Sequence, residues 1–99
     1  MINVLFLFPK SADLKTLDDF ISNKFIPGVK QANGLRSLKL SAGDLMSPGG
    51  PPPYSRVVEA SFDSLDEFMA SVPPDGQPEK EYMKSLGTLI LFYEVGELY

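Results

Sequence analysis

Ninety-nine residues suffice for one domain, residues 1–99, with a single core and no need of disulfides or metals to brace it. The chain has no Cys and no His, which excludes Cys/His zinc sites, thiol nucleophiles, Ser-His-Asp constellations and His-ligated haem. Nine Lys plus Arg against thirteen Asp plus Glu give a net charge of −4 without a basic run, so nucleic acid is not an expected partner.

The first stretch, Ile2 to Phe8, reads as a strand with Ile2, Val4, Phe6 and Phe8 on one side and Leu5 and Leu7 on the other. Asn3 is its only polar residue. A strand apolar on both faces belongs in the middle of a sheet covered twice, once by helices and once by something else. The stretch carries no charged leader and no small-residue cleavage site, and it is too short to span a bilayer. A soluble, cytoplasmic protein without a membrane partner is therefore expected.

Pro9-Lys10-Ser11 ends the strand, and Asp13 or Thr16 can cap a helix that places Leu14, Leu17, Phe20, Ile21 and Phe25 on one face. Pro27-Gly28 predicts a kink, with one further turn to Ala32 before Asn33-Gly34 stops the helix. Leu35 to Ala42 alternates loosely, as an edge strand does. Gly43 to Pro53 is a long loop containing Pro48-Gly49-Gly50-Pro51-Pro52-Pro53, either a lid or a stiff spacer between strands. It has no Lys-Ser/Thr continuation and is not a phosphate loop. Tyr54 to Phe62 is a second interior strand, with Glu59 its odd residue. Ser64-Leu65-Asp66-Glu67 is a capping box ahead of Leu65, Phe68, Met69 and Val72. A short helix follows, with Pro78 at its first position and Gly87 just past its end. Thr88 to Val95 is an apolar strand, again on both sides.

The order strand, helix, strand, strand, helix, strand predicts an α+β, ferredoxin-like βαββαβ fold, a four-stranded antiparallel sheet with both main helices on one face. The other face then exposes Leu5, Leu7 and either Ile90 and Phe92 or their opposite-parity neighbours. Burying a large apolar side chain is worth about 1.5–3 kcal/mol, so a second copy is expected to cover that face as a homodimer enclosing a cavity.

The residues also resemble the EthD family of the dimeric α/β barrel superfamily. The resemblance is carried by the strand ending in Phe8-Pro9, by Phe25-Ile26-Pro27, by Pro52-Pro53-Tyr54, by Glu59-Ala60-Ser61-Phe62-Asp63-Ser64-Leu65, and by the closing Val95-Gly96-Glu97. It implies a homodimer with an apolar pocket, either between sheet and helices or in the barrel interior. It also implies kinship with cofactor-independent monooxygenases, lactone isomerases and polyketide cyclases, and so no cofactor. Where the family often shows Thr-His-x-Pro, this chain has Lys24-Phe25-Ile26-Pro27. Tyr82 and Ser85-Leu86-Gly87 replace the usual Asp and Asn-Phe-Thr. Whatever those family residues contribute is not expected here.

Glu59 shares a strand face with Ser55, Val57 and Ser61, so it is a candidate general base within the barrel, or else an ion-pair partner of Lys39 or Arg36. Phe25, Tyr54 and Tyr82 are candidate contacts at a pocket mouth, with the alternative that they are ordinary core or surface aromatics. Arg36 and Arg56 can bind a carboxylate bidentately or join Glu59 in a structural network. Asp18-Asp19 and Asp66-Glu67 read as solvating and capping residues. Two functions follow: a cofactor-independent enzyme acting by proton transfer on an apolar, oxygen-bearing metabolite, with Glu59 as base and Tyr54 or Tyr82 as polarising donor, or a non-catalytic homodimer that binds an apolar ligand or only assembles.

Overall fold

The computed structural model describes residues 1–11 and 13–96; Glu97 of the closing motif lies outside them. Four strands, β1 (Ile2–Pro9), β2 (Leu35–Leu40), β3 (Tyr54–Phe62) and β4 (Leu89–Glu94), form one antiparallel sheet in the order β2-β3-β1-β4. This is the ferredoxin-like arrangement expected. β1 and β3 lie at its centre.

Ile2, Val4, Phe6 and Phe8 of β1 and Val58, Ala60 and Phe62 of β3 project to one face. They form one apolar cluster there with Leu17, Phe20, Ile21 and Phe68 from the helices. The molecule is 18 Å across its thinnest direction. That is room for a sheet and a single helix layer, so the opposite face has no cover among the described residues.

The first helical run begins at α1 (Leu14–Phe20). Asp13 caps it, its carboxylate accepting from the Thr16 N–H at 3.0 Å and the Thr16 hydroxyl at 2.6 Å, and these bonds hold its pKa below the ordinary carboxylate value. Thr16, the alternative cap in the sequence, lies inside the helix. The expected kink at Pro27-Gly28 takes a different form. Proline lacks an N–H and its ring crowds the carbonyl four residues back. The chain widens just upstream into a π-helical turn (Ile21–Phe25), closed by the Ile26 N–H bonding to the Ile21 carbonyl. The helix then continues through α2 (Ile26–Val29).

At Gly34 φ is +79°, and a Cβ built there would fall 1.3 Å from the Glu67 carboxylate. Glycine is required twice over, by the backbone and by the side chain above it. Glu67 is therefore packed over the turn into β2 as well as closing the Ser64 cap of α3 (Leu65–Ser71), where the Ser64 hydroxyl accepts from its N–H at 3.2 Å. In β2 the register slips between Leu35 and Ser37, so Arg36 is the extra residue of a bulge and pairs with Asp63. The last helix, α4 (Pro78–Leu86), ends in a Schellman turn at Gly87, φ 77°, with the Thr88 N–H on the Met83 carbonyl.

Arg56 corrects two readings of the sequence. It does not join Glu59. Its side chain is only 10% exposed and grips Asp18 of α1 with Nε and Nη2, at 2.9 and 3.2 Å, while Nη1 binds Asp44. These bonds raise the guanidinium pKa above its ordinary value. Asp18 is thus more than a solvating residue: it ties α1 to β3. Asp44, with the Leu45 N–H on the Ser55 carbonyl at 3.0 Å, also anchors the start of the Gly43–Pro53 loop. Its neighbour Asp19 only makes an exposed pair with Lys15 on the same helix.

The two adjacent aspartates should accordingly behave differently in thermal unfolding. Asp18→Asn weakens the hold on a nearly buried cation and is expected to cost about 1–3 kcal/mol. Asp19→Asn is expected to stay within about 0.5 kcal/mol of the parent. Equal effects would remove the distinction.

Candidate functional site

Two places on the molecule combine shape with chemistry, and they lie on opposite sides of the sheet. The first is a cavity of about 450 Å³ between the sheet and the helices. Phe6, Phe62 and Ile90 line it from the strands, Phe25, Val29 and Ala32 from the first helical run, and Phe68, Val72 and Met83 from α3 and α4. The π-turn explains why there is space here. It brings Phe25 inward against Phe6 and Phe8, at ring-centroid distances of 4.9 and 5.6 Å. The turn thereby places Gly28, which has no side chain, beside the opening. The volume falls in the range of roughly 300–1,000 Å³ typical of small-molecule sites. Four charged residues, Lys24, Glu79, Lys80 and Lys84, and the hydroxyl residues Ser71 and Thr88 complete the lining. The Thr88 Oγ1 is shut away from solvent and has no hydrogen-bond partner among the described residues.

The second place is a polar cluster on the open face, centred on Asn3. Its amide nitrogen donates to Glu59 Oε1 at 2.7 Å and to the Tyr93 hydroxyl at 2.8 Å, while its carbonyl accepts from the Ser61 hydroxyl. Asn3 lies directly across from Ser61 on β3 and Tyr93 on β4, and Glu59 is two residues along β3. Every side-chain hydrogen-bonding atom of Asn3 is used. Both Asn3 and Ser61 are 8% exposed, although no other layer covers their face among the described residues. Around them lie Leu5, Leu7 and Val57, half-buried, with Leu89, Leu91 and Tyr93 exposed. Chemically the cluster offers a carboxylate acceptor and a phenolic donor, both fixed by one amide.

The sequence candidates do not converge on one site. Phe25 lines the cavity. Glu59 faces the other way, within the Asn3 cluster, so the two cannot contact one molecule. Lys39 is its cross-strand neighbour, but among the described residues Glu59 makes no ion pair. Arg36 is taken up by Asp63 at the sheet edge. Tyr82 packs on Phe20, ring centroids 4.7 Å apart, and lines a shallower groove beside the cavity with Thr16, Asp19 and Pro78. Tyr54 pairs with Pro9 at the far end of β3 from Asn3. Asn3 and Tyr93 of the open-face cluster are not among the sequence candidates, nor are Lys24, Lys80, Lys84 and Thr88 of the cavity. Asn3 carried a signal, as the lone polar residue in an apolar strand. Tyr93 carried none, since an aromatic on a strand reads as packing. Among the described residues no group of His, Cys, Asp and Glu is placed to hold a metal, and no helix is long and apolar enough to cross a membrane.

No protein-family model matches the sequence, and no curated protein matches it. Solved structures do. An EthD family protein from Bacillus halodurans superposes with a TM-score of 0.77 at 22% identity, over 97% of this chain and 99% of the other. SnoaB, a cofactor-independent oxygenase from Streptomyces nogalater, gives 0.66 at 14% identity over 98% and 93% of the two chains. A dimeric protein of ferredoxin-like fold from Bacteroides fragilis gives 0.58 at 17% identity over 95% of each. The chain therefore has the ferredoxin-like α+β fold of EthD-like proteins, as its sequence resemblance implied. At these identities the likeness is one of fold.

The Asn3 cluster yields a direct check. Asn3→Ala leaves Ser61, Glu59 and Tyr93 without their shared partner and is expected to lower stability by about 1–3 kcal/mol. In Glu59→Gln the side-chain carbonyl still accepts from Asn3, so stability should fall by less than about 1 kcal/mol. Thermal or denaturant unfolding of the pair would show the reverse order if Glu59 rather than Asn3 were the hub.

Proposed function

We propose that the protein is a homodimer that binds an apolar, oxygen-bearing small molecule in the cavity between sheet and helices, and that it acts on that molecule in the cofactor-independent manner of oxygenases or isomerases. The observation that carries this reading is the cavity. It is lined by apolar side chains from every layer of the fold and has cationic and hydroxyl groups at a few positions, the pattern of a site that desolvates a ligand and orients it through few polar contacts. The oxygenase from Streptomyces nogalater supports the reaction class by its shared fold. To such a reaction this chain contributes exclusion of water, orientation, and ammonium groups able to stabilise negative charge forming on a substrate oxygen.

The dimer is supported by the open face and by the dimeric neighbour from Bacteroides fragilis. Leu91, 46% exposed, lies opposite Leu5 at its centre. By parity Ile90 and Phe92 belong to the helix side, so Leu91, Leu89 and Tyr93 are the β4 residues a partner sheet would cover.

A second reading is favoured by one observation, the fixing of Glu59 and Tyr93 by the same amide. Enclosed by a partner sheet, Glu59 would act as base and Tyr93, in place of Tyr54 or Tyr82, as donor to a substrate carbonyl. Turnover lost in Glu59→Gln with ligand affinity unchanged would assign chemistry to that face.

The cavity reading is tested by filling it. The neutral fluorophore N-phenyl-1-naphthylamine should bind the parent protein at micromolar concentration and should lose at least about tenfold in affinity, about 1.4 kcal/mol, in Ala32→Trp at unchanged stability. Equal binding by both would place the site elsewhere. For the dimer, Leu91→Lys sets a charge in the middle of the proposed interface and should yield monomer or unfolded chain in sedimentation. A folded dimer would contradict the arrangement.

A further inference from the structure

We infer that the compound held in the cavity is an amphipathic anion, an apolar body carrying one negatively charged oxygen group that the lysines of the lining recognise; this rests on the cavity reading above. The charge of the lining is opposite in sign to that of the chain. Of its charged residues three are cations, Lys24, Lys80 and Lys84, and one is an anion, Glu79, in a protein of net charge −4. A cavity that served only neutral apolar compounds would have no use for this inversion.

The availability of these cations differs. Among the described residues Lys24 makes no ion pair. It lies within the π-turn, between Asn23 and Phe25. Lys80 and Lys84 share Asp75, at 2.9 and 3.3 Å, and Lys84 stands 3.8 Å from Glu81. These ammoniums hold the Asp75 carboxyl below the usual carboxylate range. Asp75 itself is 79% exposed, and pairs of that kind contribute little to stability. An anion entering the cavity can therefore share or replace Asp75 at small cost, whereas Lys24 is already open to it. Lys80 is the most enclosed of the three, 26% exposed, and also donates to the Pro73 carbonyl at 3.0 Å, which fixes its ammonium beside the loop joining α3 and α4. Thr88 adds a hydroxyl without a partner among the described residues. A charged ligand oxygen gives it an acceptor among largely apolar side chains, where charge-assisted hydrogen bonds are stronger than in open water.

The test uses two fluorophores with nearly the same aromatic body: neutral N-phenyl-1-naphthylamine and its sulfonated counterpart 1-anilinonaphthalene-8-sulfonate. The parent protein should bind the sulfonate at least about tenfold more tightly. That margin should shrink as sodium chloride rises from about 0.05 to 0.5 M, since screening weakens attraction to partly exposed charges. Lys24→Gln and Lys84→Gln together should remove most of the margin while changing affinity for the neutral probe less than about twofold. Ala32→Trp should abolish both. Equal affinity for the two probes, or a sulfonate preference untouched by the lysine changes and by salt, would overturn the anionic assignment and leave the cavity standing. Failure of both probes to bind, or binding unaffected by Ala32→Trp, would overturn the cavity and the anionic assignment together.

Discussion

The structure depends on the position of β1 at the centre of a sheet that is apolar on both faces. On the helix side the constraint is met within the chain: Val4 and Phe8 are fully buried against β3, α1 and the π-turn. On the other side Leu5 lies between Glu59 and Leu91, and Leu7 between Val57 and Leu89, all of their own sheet. At about 25 cal/mol per Å² of apolar surface removed from water, an uncovered face of this composition forfeits a large part of what a chain of this size can gain by folding. A second sheet laid on the first resolves the constraint. It would also enclose the Asn3 cluster, a polar island on that face, in which the Asn3 amide finds all its partners internally while the Glu59 carboxylate makes no ion pair among the described residues, so that burying it carries a desolvation cost.

The opposite face owes its cavity to a local event in the backbone. Pro27 cannot supply an N–H to an ordinary helical turn, so the ladder takes up an extra residue before it, and the helix is re-aimed where it passes over Phe6 and Phe8. Phe25 fills part of the gap from the helix side, while Gly28 leaves part of it open. Arg56 contributes from a distance by fixing α1 to β3 through Asp18. The cavity is thus bounded by one helix that is pinned electrostatically and another, α4, set by the left-handed turn at Gly87.

Much of the architecture was legible because it follows from patterns with a simple physical cause. Strand alternation placed Ile2, Val4, Phe6 and Phe8 on one face, the Ser64 box started α3, and Gly87 ended α4. Less legible was anything decided across the chain. Asp18 and Asp19 are alike in sequence, and only the approach of β3 makes one of them a partner of a buried cation. Glu59 was visible as an anomaly, but its partner is set by the register of β1 against β3, which pairs Asn3 with Ser61 and leaves Lys39 without an ion pair to it. Tyr54 and Tyr82 were plausible neighbours of a pocket by chain order; packing took Tyr82 onto Phe20 and left Tyr54 at a sheet end. The parity of β4, open in the sequence, is fixed by its pairing with β1, which turns Leu91 rather than Phe92 to the uncovered face.

The central claim is that the sheet's second cover is another copy of the chain, and the unaltered protein can decide it. Sedimentation equilibrium over roughly 0.1–50 μM should give a single species of twice the chain mass across the micromolar range, with dissociation, if reached at all, accompanied by loss of structure in circular dichroism. A stable, fully folded monomer throughout that range would contradict the account, because it would show that Leu5, Leu7 and Leu91 can face water without a partner.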